Sequence, residues 1–385
     1  MIAGSGKTKS AEVYYWSKLD DDEKLAGGDI RAMHVIPEMI RVSERKTLLV
    51  LPEKLIRKKF LVKHQSASKI FLVFLIPILI IKTCVKQKYR IRFIYCSTCY
   101  PWDTLPAIFI KKICDTGIVC ISHDTPKQLF GYTFYRIGEN FPVVKSMLFA
   151  TIGKFQNFLL RYVDVPIGVS EFAMDFFRNP NVRGRAIMSS NAIYTILSEG
   201  EINNPRTYDI VILGRIIPRK NVQKIIKAFR NRSYERRLKL LVITNSAEES
   251  VEREILRYVD YGLIVPTCRY SVNEDQKLDL LKRSKIYISL SQDENFSVAA
   301  MEAASMGTAL ILSDYVFFRN IFGQSAIYVN ENDPDELWNQ VCNLLDDKER
   351  LRYSENALRV ASNYLSTNVA RNDYYRIDER LNSDE

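Results

Sequence analysis

The sequence predicts a two-domain α/β protein in which each domain is built on a doubly wound parallel sheet. Three observations carry that prediction. Short apolar, β-branched runs alternate with helical patterns along most of the chain, as buried parallel strands joined by crossover helices do. The alternation occurs twice, and a polar stretch at 198–205 containing Asn203, Asn204 and Pro205 separates the two series. A length of 385 residues, 47% hydrophobic and 26% charged, suits two sizeable cores. We therefore expect a first domain at 1–203, a second at 204–366 and a final helical segment at 367–385.

In the first series, strands are expected at 12–17, 47–51, 91–96, 117–122 and 165–170. Residues 4–8, GSGKT, look like a phosphate loop, but that motif needs a further glycine where Met1 stands and a strand in front. Asp20, Asp21 and Asp22 read as a solvated loop. Gly27 and Gly28 form a small-residue turn before a helix, which lets backbone approach a ligand closely. His34 lies within that helix and reads as packing or surface. His123 directly follows the 117–122 strand, and ligands of open α/β sheets gather outside the carboxyl ends of strands. It is the functional candidate among the three histidines.

The net charge of +10 is unevenly held. Residues 51–100 contain eleven Lys or Arg against the single acid Glu53, so this segment carries the whole surplus. Beside it, the apolar run 70–81 is interrupted by Pro77 and falls short of the roughly 20 residues that span a bilayer. One reading is a buried helix with a solvated basic neighbour. The other is an interfacial patch, since each Lys or Arg near an anionic lipid surface contributes about 1 kcal/mol. Nucleic acid is not expected, because the aromatic and Gly-rich patterns of single-strand binders are absent. Seven Cys and no apolar stretch after a basic N-terminus favour a cytoplasmic location. Cys96 and Cys99 could begin a zinc site, but no second pair follows at finger-like spacing. Buried thiols, and no metal, are the expectation.

In the second series, strands are expected near 208–213, 239–244, 263–265, 285–290, 308–312 and 326–329. Just past the first lie Arg215 and Lys220, where two cations can hold a diphosphate without metal and stabilise the charge that develops as it leaves. Residues 285–314 read as strand, loop, helix, strand. Ala299, Ala300, Ala303 and Ala304 let the helix lie close to the sheet, and Gly307 stops it. Ser297 is the expected N-cap, which leaves N–H groups around Phe296 to Ala299 facing an anion. Glu294 stands in the loop and Glu302 about a turn and a half inside the helix. A carboxylate at Glu302 can accept from a ribose hydroxyl pair, and one at Glu294 can reach a neighbouring sugar.

The spacing Glu294-x7-Glu302 with Phe296, Ala303 and Gly307, preceded by Gly214-Arg215 and Lys220-Asn221, resembles the signature of retaining GT-B glycosyltransferases of the family 4 type. The resemblance implies two Rossmann-like domains facing across a cleft, the first on the acceptor side and the second binding a nucleotide-sugar, with a C-terminal helix crossing back to the first. It implies transfer from a nucleotide-sugar donor with retention, without cofactor or metal. By the same resemblance Glu294 and His123 contact the transferred sugar, and Glu302 contacts the ribose. Gly28, Arg215, Lys220, Phe296 and Ser297 line the diphosphate, and Arg269 lies near the base. Ser170-Glu171 matches the family's serine-glutamate helix start. Two motifs depart: the family's Glu-Gly-Phe-Gly is Glu294-Asn295-Phe296-Ser297, and its Pro-Asn-Gly turn is Ser190-Asn191-Ala192. A nucleotide-sugar epimerase of the same fold and a non-catalytic binding partner are the rival readings. Because the charged residues of the site are all present, we expect a transferase. Its acceptor is expected to be lipid-linked or a glycan, with residues 51–100 on an anionic membrane at the inner face of the cell membrane.

Overall fold

The computed structural model describes residues 9–15, 27–43, 46–50, 77–78, 80–82, 84–86, 89–123, 143–230, 238–244, 267–270 and 272–383. The loops at 4–8 and 20–22, most of the basic and apolar segment at 51–76, and the strand expected at 263–265 lie outside the described residues.

Two compact units emerge from packing: residues 1–191 with 366–385, and residues 192–365. Each holds a six-stranded, all-parallel sheet. In the first unit the order is β2-β1-β3-β4-β5-β6, with β1 at Lys9–Tyr15, β2 at Lys46–Val50, β3 at Tyr89–Cys96, β4 at Gly117–Ser122, β5 at Val165–Gly168 and β6 at Ile187–Met188. In the second it is β12-β11-β10-β7-β8-β9, with β7 at Tyr208–Leu213, β8 at Leu240–Thr244, β9 at Thr267–Tyr270, β10 at Ser284–Ser289, β11 at Ala309–Ser313 and β12 at Ile327–Val329. The sequence runs outward in one direction from β7 and returns to its other side at β10, so the strand order reverses between these neighbours. Ligands bind at such a reversal, beyond the carboxyl ends of the strands.

Burial explains the strand composition. Val211, Leu241, Val242, Ile286 and Ile311 are all at or below 1% exposed because helices cover both faces of the sheet. On one face, helices Val222–Arg230 and Pro334–Leu344 pack through Phe229 and Trp338, whose rings meet edge to face at 6.1 Å. Residues 192–203 pack with the second unit, where Leu197 and Ile202 are buried against Leu358. The helix at Ser366–Asn382 belongs to the first unit and lies along the helix at Gly27–Val42. Two buried polar contacts fasten it there: Asp373 pairs with the fully buried Arg31, and Tyr374 donates to Glu12 at 2.9 Å. The C-terminal helix therefore returns to the first unit.

Two local expectations are corrected. Ser297 occupies the N-cap position of helix Val298–Ser305, but at φ 52°, ψ 68° its backbone is left-handed and its hydroxyl caps nothing. Residues 268–270 are themselves part of a strand, β9, at the sheet edge paired to β8. The side chain of Arg269 lies outside the described residues. The thiols of Cys96, Cys99 and Cys120 are buried as expected, and Cys99 Sγ lies 3.1 Å from Cys120 Sγ. Among the described residues no group of His, Cys, Asp or Glu is arranged to hold a metal, and no helix is long and apolar enough to cross a membrane.

Candidate active site

At the strand reversal of the second unit, the loop after β7 and the loop after β10 are tied together. Gly214 leaves β7 at φ 129°, a conformation open to glycine, and Asn221 takes φ 52°, which asparagine tolerates better than most residues. The Asn221 side chain donates to Leu290 O at 2.9 Å, and Gln292 N donates to Arg219 O at 3.0 Å. These bonds bring the β7 cations to the β10 acids. Lys220 pairs directly with Glu294, and Arg219 lies 3.5 Å from Asp293. Arg215 is exposed just past the strand end. The structure therefore brings Arg215, Lys220 and Glu294 to the ends of adjacent strands, with Lys220 and Glu294 facing each other.

Phe296 is buried, its ring 5.1 Å from that of Tyr364 in an edge-on contact. Its side chain anchors the loop, so a ligand beside it would meet main chain. Ser297 follows with a buried hydroxyl that has no hydrogen-bond partner. The helix it opens is short and alanine-rich, and Ala300, Ala303 and Ala304 are fully buried. Gly307 ends the turn at φ 65°, where an added Cβ would stand 3.0 Å from Arg206 and Leu197.

Glu302 points from this helix to Lys277 of the preceding helix, Glu274–Lys282, with Nζ 2.7 Å from Oε1. Lys277 also reaches Glu274 at 2.7 Å. Burial pushes the Glu302 carboxyl above its ordinary range, and Lys277 opposes the shift. Burial pulls the Lys277 ammonium down, but Glu302 and Glu274 outweigh it and hold it above its usual value. Sequence reasoning did not single out Lys277. Its only signal was a lysine among Leu278, Leu280 and Leu281 on a helix whose apolar side must face the core.

In the first unit His123 sits immediately past β4. Its Nε2 lies 3.3 Å from Ser97 O, and since a carbonyl only accepts, the ring donates there. Burial pushes its pKa down to about 3, and the nearby Arg31 charge adds to this, with Ser97 and Asn191 pulling the other way. The ring is neutral at neutral pH. Arg31 was also missed by sequence reasoning. It lies in the opening turns of the helix that contains Gly28, fully buried, donating to Tyr95 Oη at 2.7 Å, Ser190 O at 2.8 Å and Ser189 Oγ at 3.0 Å. Its position beside Asp373 makes it a junction of the first unit. His34 is partly buried in the same helix.

Known proteins share this fold. Residues 197–360 match the family model for glycosyl transferases group 1. An uncharacterized glycosyltransferase of Methanocaldococcus jannaschii is 25% identical over 179 residues, which is 45% of this chain and 45% of that relative. The matched part thus spans less than half of the relative's length. Among solved structures, sucrose-phosphate synthase from Thermosynechococcus elongatus superposes with a TM-score of 0.68 at 13% identity, covering 98% of this chain and 100% of the other. Anabaena HepE in complex with UDP gives 0.64 at 13% identity, covering 97% and 100%. Likeness at that identity establishes the fold. This chain has the GT-B fold, and its residues 197–360 match the family model for glycosyl transferases group 1.

Proposed function

We propose that this protein is a glycosyltransferase that moves a sugar from a nucleotide-sugar to a lipid-linked or glycan acceptor with retention. The observation that carries the reading is the pairing of Lys220 with Glu294 at the β7–β10 reversal, with Arg215 just past the end of β7, all within the stretch that matches the group 1 family model. The UDP and UDP-glucose complexes of Anabaena HepE, a neighbour of the same fold, support a nucleotide-sugar as donor.

In this reading Arg215 and Lys220 take the diphosphate, and Glu302 takes the ribose. The ion pair between Lys220 and Glu294 defines the donor-free state. An arriving diphosphate competes for the ammonium by a charge-assisted bond and leaves Glu294 to accept from sugar hydroxyls. The cations then stabilise the charge that grows on the leaving diphosphate. By the family resemblance His123, a neutral ring held at Ser97, is assigned to orienting the sugar, Gly28 and the main chain at Phe296 and Ser297 to the diphosphate, and Arg269 to the base. The uneven charge of residues 51–100 supports a protein held at the inner face of an anionic membrane.

Purified protein incubated with a panel of nucleotide sugars tests the activity. Release of nucleoside diphosphate that rises on adding a lipid or glycan acceptor is expected. Conversion of one nucleotide sugar to another without acceptor would favour an epimerase, and no turnover of any donor would favour a binding partner.

A further inference from the structure

We propose that the outer face of two neighbouring helices in the first unit docks on an anionic lipid surface. Helix Pro101–Cys114 joins β3 to β4. Helix Val143–Leu159 lies between β4 and β5. The three strands are adjacent and parallel. Crossovers of one hand place both helices on the same side of the sheet, and the two pack against each other. Their inner residues Ile110 and Leu159 are buried, so their outer faces look the same way.

That outward face is unusually apolar. Phe109, Ile113, Phe155, Phe158 and the following Tyr162 are between 43% and 67% exposed. Single exposed apolar residues are ordinary, but several on one face mark a contact surface. The flanking charge is basic. Asp164 is paired with Lys111, and Asp115 lies 3.5 Å from Arg90. Lys112, Lys154 and Arg161 are exposed and have no carboxylate partner among the described residues, and Arg161 stands 5.5 Å over the Phe158 ring.

Aromatic rings beside unpaired cations suit the boundary between headgroups and acyl chains, where rings partition and cations meet anionic lipid. Charge selects this occupant over a second copy of the chain, which would bring the same surplus of cations to the same face. The proposal rests on the membrane reading above and adds a structured contact to the basic stretch at 51–100.

Flotation with phosphatidylcholine vesicles containing phosphatidylglycerol, at low salt, tests it with three proteins: wild type, I113S/F155S/F158S, and K54Q/R57Q/K58Q/K59Q. The substituted patch residues are exposed, so the first variant should fold, with circular dichroism and UDP titration matching wild type. We expect at least a tenfold loss of vesicle-bound protein for it. Undiminished flotation of that variant, with loss for the second, would overturn the patch while leaving the membrane reading standing. Failure of wild type to float would end both. Sedimentation showing a wild-type dimer that the patch variant breaks would assign the face to self-association and overturn the proposal.

Discussion

Lys277 Nζ lies 2.7 Å from Glu302 Oε1, and the two residues are only 8% and 6% exposed. The carboxylate assigned to the ribose is therefore held by a buried cation from a different helix. A lone buried charge costs far more than a paired one, so each partner secures the ionised state of the other.

Lys277→Met is expected to lower stability by about 3 kcal/mol at pH 7.5, the usual result of removing one member of a buried pair. The Glu302 carboxyl, already pushed up by burial, rises further without the ammonium. A raised carboxyl destabilises the fold as pH climbs through the interval between its unfolded and folded pKa values, so the loss should shrink on lowering the pH to 5. Urea unfolding at the two pH values, with Lys277→Met/Glu302→Gln as the compensated control, measures this. Equal losses at both pH values would argue against charge as the cause.

Ser297→Gly should be stabilising by about 1 kcal/mol, because it relieves a left-handed serine and removes a buried hydroxyl without a partner. Thermal unfolding would show a rise of a few degrees at most for a chain of this size. A fall would mean that the hydroxyl has a partner in the ligand-free protein.

His123 contributes an acid-side dependence. Its folded pKa, near 3, lies below the ordinary value of about 6.5, so the unfolded chain binds the proton more tightly. Stability from keeping the ring neutral is complete above about pH 6.5 and falls as pH drops toward 3, by up to about 2 kcal/mol between pH 7 and 5. His123→Gln should flatten that slope in urea titrations. It should also slow transfer, while the wild-type rate profile from pH 5 to 8 should show no ionisation of this ring.

Lys220→Ala is expected to slow transfer by roughly a hundredfold or more through loss of a charge-assisted contact to the diphosphate. Glu294→Gln should mainly reduce turnover and leave the affinity for free nucleoside diphosphate equal or higher, since it releases Lys220. Kinetics and calorimetry on the pair separate these roles, and unchanged turnover in Lys220→Ala would remove the diphosphate assignment.

The strands were legible because a buried parallel strand leaves a continuous apolar run: β7 and β4 fall where 208–213 and 117–122 read as strands, and β10 and β11 lie within one residue of expectation. The residues past those strand ends were legible for the same reason, since a strand end fixes where Arg215 or His123 must start. What stayed hidden depended on tertiary partners. Nothing in the local pattern pairs Lys277 with Glu302 across 25 positions, or Arg31 with Asp373 across 342. The Ser297 cap was misread because serine is the common N-cap. Here the backbone instead adopts the left-handed turn, which glycine fits best, and the hydroxyl is carried away from the helix N–H groups.

Calorimetric titration of UDP and other nucleoside diphosphates into wild type, Arg215→Ala, Lys220→Ala and Glu302→Gln asks whether the second unit binds a nucleotide through these three residues. Binding of at least one diphosphate by wild type is expected, weakened about tenfold or more in each variant, with folded content unchanged by circular dichroism. Wild type that binds no nucleoside diphosphate, or variants that bind it as tightly as wild type does, would contradict nucleotide binding at these residues.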